Sequence, residues 1–206
     1  MGKQRNVDPG RRKRPKRRTG QAIVDAVVEA TERLLAQDGL AGLTTKRIAK
    51  VAGVSSGSIY QYFESKQGIV AELARRLEQR ARDLAFEKLQ GIPPSEMSAV
   101  IRIFVGVLVE ESLGHQQMRR SLIREVPRAW IETNSAVVDE EVQAFVQRVI
   151  AEAPQAREGS PEMMAFVVHH AVEAVVEAAV LRHPEWLGDE AFQRELARLA
   201  ECYLSR

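Results

Sequence analysis

Cysteine is nearly missing from this chain: Cys202 is the single one among 206 residues. That excludes an intramolecular disulfide framework and any multi-thiolate zinc or iron–sulfur site within one chain. A reducing cytoplasm is the expected compartment, with Cys202 a small buried hydrophobe rather than a redox sensor. Aromatic residues make up only 5%. No apolar run follows the basic N-terminal residues, so no secretory signal is expected. No convincing strand pattern occurs anywhere. The stretch from Met163 to Leu181 is nearly long enough to cross a bilayer, but it carries His169, His170, Glu173 and Glu177. A buried core helix is the better expectation for it.

Apolar residues at 45% and charged residues at 28% are ordinary for a soluble globular protein, and the length suits one large domain or two small ones. The net charge of +2 conceals an asymmetry. Residues 1–20 hold nine Lys/Arg against the single acid Asp8, whereas residues 71–206 hold sixteen bases against twenty-two acids. A basic arm, expected to be flexible and including Arg17 and Arg18, suggests contact with a polyanion such as nucleic acid.

From Gln21 the apolar residues recur at helical steps, with Gly39 a plausible stop. Two short helices are expected over roughly 45–52 and 56–63. Ser65 then caps a long helix that ends before Gly91. Five further helices are expected near 95–113, 115–124, 127–153, 160–182 and 189–205, with prolines and glycines at the junctions. The expected fold is all-α: the arm over 1–20, a three-helix DNA-binding unit with a helix-turn-helix over 21–68, and a larger helical ligand-sensing and dimerisation domain over 69–206.

The spacing within residues 44–66 carries the functional expectation. Ile48, Ala49 and Ala52 can face inward from the first short helix, and Ile59 and Phe63 from the second. Val54 fills the angle between them. Ala49 is small enough for a close crossing, and Gly53 can take positive φ at the corner. This is a helix-turn-helix signature. Its second helix presents Ser55, Ser56, Gly57, Ser58, Tyr60 and Gln61 outward, a tip that fits a major groove. Its N-terminal amides and hydroxyls can bond phosphate, while Gln61, Ser56 or Ser58 can reach base edges.

Residues 21–70 resemble the TetR-type family of bacterial transcriptional repressors, through Thr44-Thr45, Ile48-Ala49, Ala52-Gly53-Val54-Ser55, Ile59-Tyr60, Tyr62-Phe63 and Ser65-Lys66. The resemblance implies that Thr45 and Lys46 contact an operator, that Ser55 to Ser58 with Gln61 face the groove, and that Tyr60, Tyr62 and Lys66 grip phosphates. Glu64 stands where that family often has proline, which bears on local turn geometry. For the rest of the chain the resemblance is one of kind: a helical domain in which an effector moves the long helix beginning near Ser65.

Other constellations compete. Gly53-Val54-Ser55-Ser56-Gly57 matches the G-x-S-x-G elbow of serine hydrolases, but that elbow needs a strand before the serine. An enzyme is therefore not expected. His169, His170 and Glu173 could place an imidazole and a carboxylate on one helix face, with Glu177 continuing the row, and could bind a metal or touch an effector. The reading adopted is effector contact, with no metal and no cofactor assigned. Phe104, Leu108, Met118, Trp130, Phe145, Met164 and Phe166 are the bulky or pliable side chains that could line an effector cavity for a partly apolar ligand. The expected protein is a cytoplasmic homodimer, joined through its two C-terminal helices, that binds double-stranded DNA and is released by a small molecule. An architectural DNA binder without an effector is the alternative.

Overall fold

The computed structural model describes the backbone of residues 18–206, and the side chains of all of these except 18, 19 and 132–139. The described chain is helical, with no strand among the described residues beyond one isolated bridge between Ala156 and Ser205. Its helices are α1 (Arg18–Asp38), α2 (Thr45–Ala52), α3 (Ser56–Tyr60), α4 (Lys66–Lys88), α5 (Met97–Gly114), α6 (Gln116–Glu125), α7 (Glu132–Glu152), α8 (Pro161–Arg182) and α9 (Glu190–Leu204). Short 3₁₀ turns occupy Arg128–Trp130 and Pro184–Gly188.

Several boundaries differ from the sequence expectation. Arg18 to Gly20 belong to α1 rather than to the arm, because extending a formed helix by a turn costs little. α3 ends at Tyr60, and the amides of Tyr62 and Phe63 both donate to the Ile59 carbonyl in a closing turn. The helix expected from 127 begins only at Glu132, since Pro127 leads into the 3₁₀ turn instead.

The chain divides into two compact units. The first runs through Leu77 and adds Ser121–Ala136; the second comprises Glu78–Arg120 and Val137–Arg206. The division thus falls inside α4 rather than at 68/69, and residues 121–136 join the N-terminal unit.

In the first unit α1 packs on α2 and α3. Val24, Val27 and Leu35 of α1, Ile48 of α2, Ile59 of α3, Phe63, and Ile69, Val70 and Leu73 of α4 are essentially closed to solvent. Burial on this scale stabilises by about 25 cal/mol per Å² of apolar surface. Local chemistry shapes the ends: the Thr44 hydroxyl accepts from the Arg47 amide at 3.2 Å and Ser55 Oγ from the Ser58 amide at 3.0 Å. Glu72 is buried among these apolar groups and accepts from Arg75 Nε at 3.0 Å and Arg76 Nε at 2.9 Å. Arg76 reaches on to Asp25 of α1 at 2.8 Å. Glu125 accepts from the Leu40 amide at 2.7 Å, which holds the turn after α1.

In the second unit α5, α8 and α9 pack on one another, with the Pro184–Gly188 turn between α8 and α5. Ser160 caps α8 and Asp189 caps α9. Phe86, Phe104 and Phe145 form an aromatic trio with centroids 5.2–6.3 Å apart. The loop before α8 is tied to the C-terminus by the Arg157 amide on the Leu204 carbonyl at 2.8 Å and by Arg157 Nε on the Tyr203 carbonyl at 2.7 Å. α8, expected as a buried core helix, is buried on one side only. Met164, Ala165, Val168, Val172 and Val176 are covered, whereas Met163, Phe166, Val167 and Val175 are exposed. By length and composition alone α8 is apolar enough to cross a membrane. Cys202, expected to be buried, is exposed on α9, because the inward face of that helix is taken by Leu196, Ala197, Ala200 and Leu204.

Candidate nucleic-acid interface and ligand cavity

The α2–α3 corner follows directly from Gly53. Its φ of 67° and ψ of 28° lie in the left-handed region, where its amide caps α2 on the Ala49 and Lys50 carbonyls in the manner of a helix C-terminus. The Val54 amide then returns to the Ala49 carbonyl at 3.0 Å. Ile48, Ala49, Ile59 and Phe63 point into the unit as expected, while Ala52 and Val54 are half-buried.

The outer face carries the expected candidates together. Lys46, Ser55, Ser56, Gly57, Tyr60 and Gln61 are exposed; Thr45, Ser58, Tyr62 and Lys66 are half-buried. The Ser55 hydroxyl is already engaged as the α3 cap and lies 2.9 Å from Ser58 Oγ, so Ser56 and Gln61 are the freer groups for a base edge. α3 has only five residues, which leaves little macrodipole and makes side chains and single amides the polar attractors here. Arg17 lies outside the described residues, and Arg18 opens α1 with its side chain outside those described. Arg47, close by, is structural: it bonds Asp38 at 2.5 Å and the Gly42 carbonyl at 2.8 Å. Lys50 is an exposed cation of α2 that sequence reasoning passed over.

The second unit contains a cavity of about 180 Å³ walled by α4, α5, α7, α8 and α9 and by Arg119 of α6. Valine is the commonest residue of its wall, with Met97, Ile101, Phe104 and Leu108. Of the effector candidates, the structure places Phe104, Leu108, His169 and Glu173 in the wall. Met118 and Met164 are core residues outside it, Phe145 belongs to the aromatic trio, and Trp130 belongs to the first unit. Phe166 is exposed and His170 lies beside it, with ring centroids 4.3 Å apart. These six do not line the cavity, because periodicity identifies a buried face without saying which neighbour covers it.

The cavity's polar wall was missed from sequence: Glu78, Arg82 and Arg119 join His169 and Glu173 there. Glu78, Ala81, Arg82 and Ala85 recur at three- and four-residue steps on α4, and that spacing was the available signal. Arg82 is held by Glu141 and Asp83. The hydrogen bond from Arg82 holds the Asp83 carboxyl below its ordinary value. Arg119 has a buried Nε with no acceptor among the described residues. Desolvation pulls its guanidinium below the ordinary arginine value, and the carboxylates of Glu111, Glu173, Glu78 and Glu177 pull it back. A largely apolar wall with a few charged groups suits a small organic ligand.

Comparison with known proteins agrees with both parts. Residues 27–73 match the family described as bacterial regulatory proteins, tetR family, and residues 96–204 match the tetracyclin repressor-like C-terminal domain. Over 105 residues the chain is 31% identical to the HTH-type transcriptional regulator AcrR of Shigella flexneri, covering 51% of this chain and 46% of that one. It is 29% identical over 90 residues to the regulator BetI of Klebsiella pneumoniae, covering 44% of each. The matched stretches thus span less than half the length of these relatives. The fatty acid degradation regulator FadR from Bacillus halodurans superposes with a TM-score of 0.71 at 16% identity, covering 85% of this chain and 96% of that one.

Proposed function

The chain belongs to the TetR family of bacterial transcriptional regulators, and from that premise we propose that it is a cytoplasmic repressor which leaves a palindromic operator when a small molecule fills its cavity. The observation that carries this reading is α4. It is one unbroken helix of 23 residues: Lys66–Leu77 belongs to the unit that holds the helix-turn-helix, and Glu78–Ala85 walls the cavity. A ligand that binds one disposition of α4 more tightly than another shifts the DNA equilibrium by the same factor, with a coupling of about 1–3 kcal/mol.

Lys46, Ser56 and Gln61 approach the groove, and Tyr60, Tyr62 and Lys66 approach phosphates; the exposure of Lys46, Ser56, Tyr60 and Gln61 and the partial exposure of Tyr62 and Lys66 support this assignment. Phosphate contacts position and base contacts specify. Two half-sites on one face of DNA require two recognition helices about 34 Å apart or a multiple of that, hence two chains. The exposed Met163, Phe166, Val167 and Val175 of α8 and Leu199 of α9 support a homodimer seam on these two helices, since adjacent exposed apolar groups of this size mark an interface.

The test maps bound DNA with and without a panel of small molecules, at physiological salt. One protected palindrome, released by a subset of ligands, is the expected result. Binding without a useful specificity ratio, unmoved by any ligand, would instead identify an architectural DNA binder. Phe166→Glu should weaken the dimer in sedimentation and lower operator affinity with it.

A further inference from the structure

α8 presents three metal-ligand types within one turn. His169 and Glu173 are four residues apart and His170 and Glu173 three, so both imidazoles reach the same carboxylate, and their ring centroids lie 5.0 Å apart. Glu173 Oε2 lies 3.9 Å from His169 Nε2 and 3.6 Å from His170 Nδ1. One ligand atom of each of the three lies within 4.8 Å of the others. The Phe166 ring, 4.3 Å from His170 in an edge contact, restricts the His170 rotamer on its outer side.

From this geometry we propose that His169, His170 and Glu173 bind a borderline divalent transition-metal ion of the zinc class. With bonds of about 2.0–2.2 Å, the edges of a tetrahedral site are about 3.4 Å. The two edges to Glu173 exceed that by a few tenths of an ångström and the edge between the imidazoles lies within 4.8 Å, so binding rotates the exposed Glu173 side chain and turns the His170 ring towards His169. Two imidazoles and one carboxylate suit Zn²⁺, Co²⁺, Ni²⁺ or Cu²⁺, whereas Ca²⁺ and Mg²⁺ require oxygen donors throughout. The surroundings favour added positive charge: the four carboxylates of Glu78, Glu111, Glu173 and Glu177 act on the Arg119 guanidinium, while Arg82, the other guanidinium of the wall, is held by Asp83 and Glu141. Arg119 competes for Glu173, and the other three carboxylates remain to hold it when the ion takes that oxygen. Three protein ligands leave a fourth position open. Because His169 and Glu173 both belong to the cavity wall, that position is available to water or to a donor atom of whatever the cavity holds. The site stands or falls independently of operator release.

The experiment uses tag-free, metal-stripped full-length protein, titrated with Zn²⁺ by calorimetry and with Co²⁺ by visible absorption. One ion per chain is expected, with the intense bands of tetrahedral cobalt. His170→Ala and Glu173→Gln should each weaken binding by at least about 100-fold, beyond the roughly 10–100-fold carried by outer-shell partners. His183→Ala, which removes an exposed imidazole paired with Glu185, should leave affinity unchanged. Circular dichroism and melting temperature establish that each variant is folded, and Glu173→Gln preserves side-chain size. Absence of stoichiometric binding, full affinity in either site variant, or an equal loss in His183→Ala would overturn the proposal.

Discussion

Two glycines share a backbone conformation and differ in the space around them, which separates torsional cost from packing cost. Gly53 has φ 67° and Gly39 has φ 64°. A Cβ on Gly53 meets no heavy atom within 4 Å, whereas one on Gly39 lies 2.6 Å from Glu125 Oε2. Gly53→Ala therefore carries only the left-handed penalty of about 1–2 kcal/mol, partly offset by about 0.4–1 kcal/mol from the stiffer unfolded chain. The net expectation is a loss of about 1 kcal/mol, and Gly53→Asn should lose less because asparagine tolerates this region. Gly39→Ala bears the same torsional penalty and must also displace a carboxylate that accepts from the Leu40 amide at 2.7 Å. Losing that bond adds about 0.5–1.5 kcal/mol. Urea unfolding followed by circular dichroism measures the difference, at one fixed protein concentration because self-association changes apparent stability. A Gly53→Ala loss equal to or larger than that of Gly39→Ala would refute the reasoning, as would a neutral Gly53→Ala.

Three further outcomes are expected. Glu72→Ala should destabilise by about 3 kcal/mol in the same unfolding assay, since it strips a buried carboxylate from the guanidinium groups of Arg75 and Arg76; a loss below 1 kcal/mol, taken as roughly the value of a surface pair, would contradict that role. The folded-state pKa of Asp83 lies below its ordinary 3.8, so the stability it contributes is present above that value and is lost as pH falls through the lowered one. The difference between the parent and Asp83→Asn should accordingly be small, because the group is exposed, and should shrink towards zero in unfolding curves taken through pH 4 and below. In operator titrations, Lys66→Ala should weaken all sequences alike and lower the salt slope by about one, whereas Gln61→Ala should alter base preference; the same loss from both would contradict their separate roles.

The helix-turn-helix was readable because its determinants are local. The αL residue Gly53, the caps Thr44 and Ser55, and the inward spacing of Ile48, Ala49, Ile59 and Phe63 all lie within twenty residues, and α2 matches its expected range. A helical period is likewise local, which is why the order of helices along the chain could be read without knowing their neighbours. α3 was read too long because two amides converge on the Ile59 carbonyl, a closure that depends on how Phe63 is buried.

The cavity was legible only in fragments. Phe104, Leu108, His169 and Glu173 were among the candidates, but Met118 and Met164 turned to the core instead, and Arg119 was overlooked on a strongly polar helix. Whether a given face meets solvent, a core or a hollow is set by segments up to a hundred residues away, as when Arg102 of α5 meets Glu201 of α9. Cys202 shows the same limit: its residue type favours burial, and its place on the outer face of α9 exposes it. Short-range torsions and periodicity thus dictate the DNA-facing corner and the string of helices, because their energies are spent within a few residues. Long-range packing dictates the hollow and its buried charge, because they exist only where distant helices leave space unfilled.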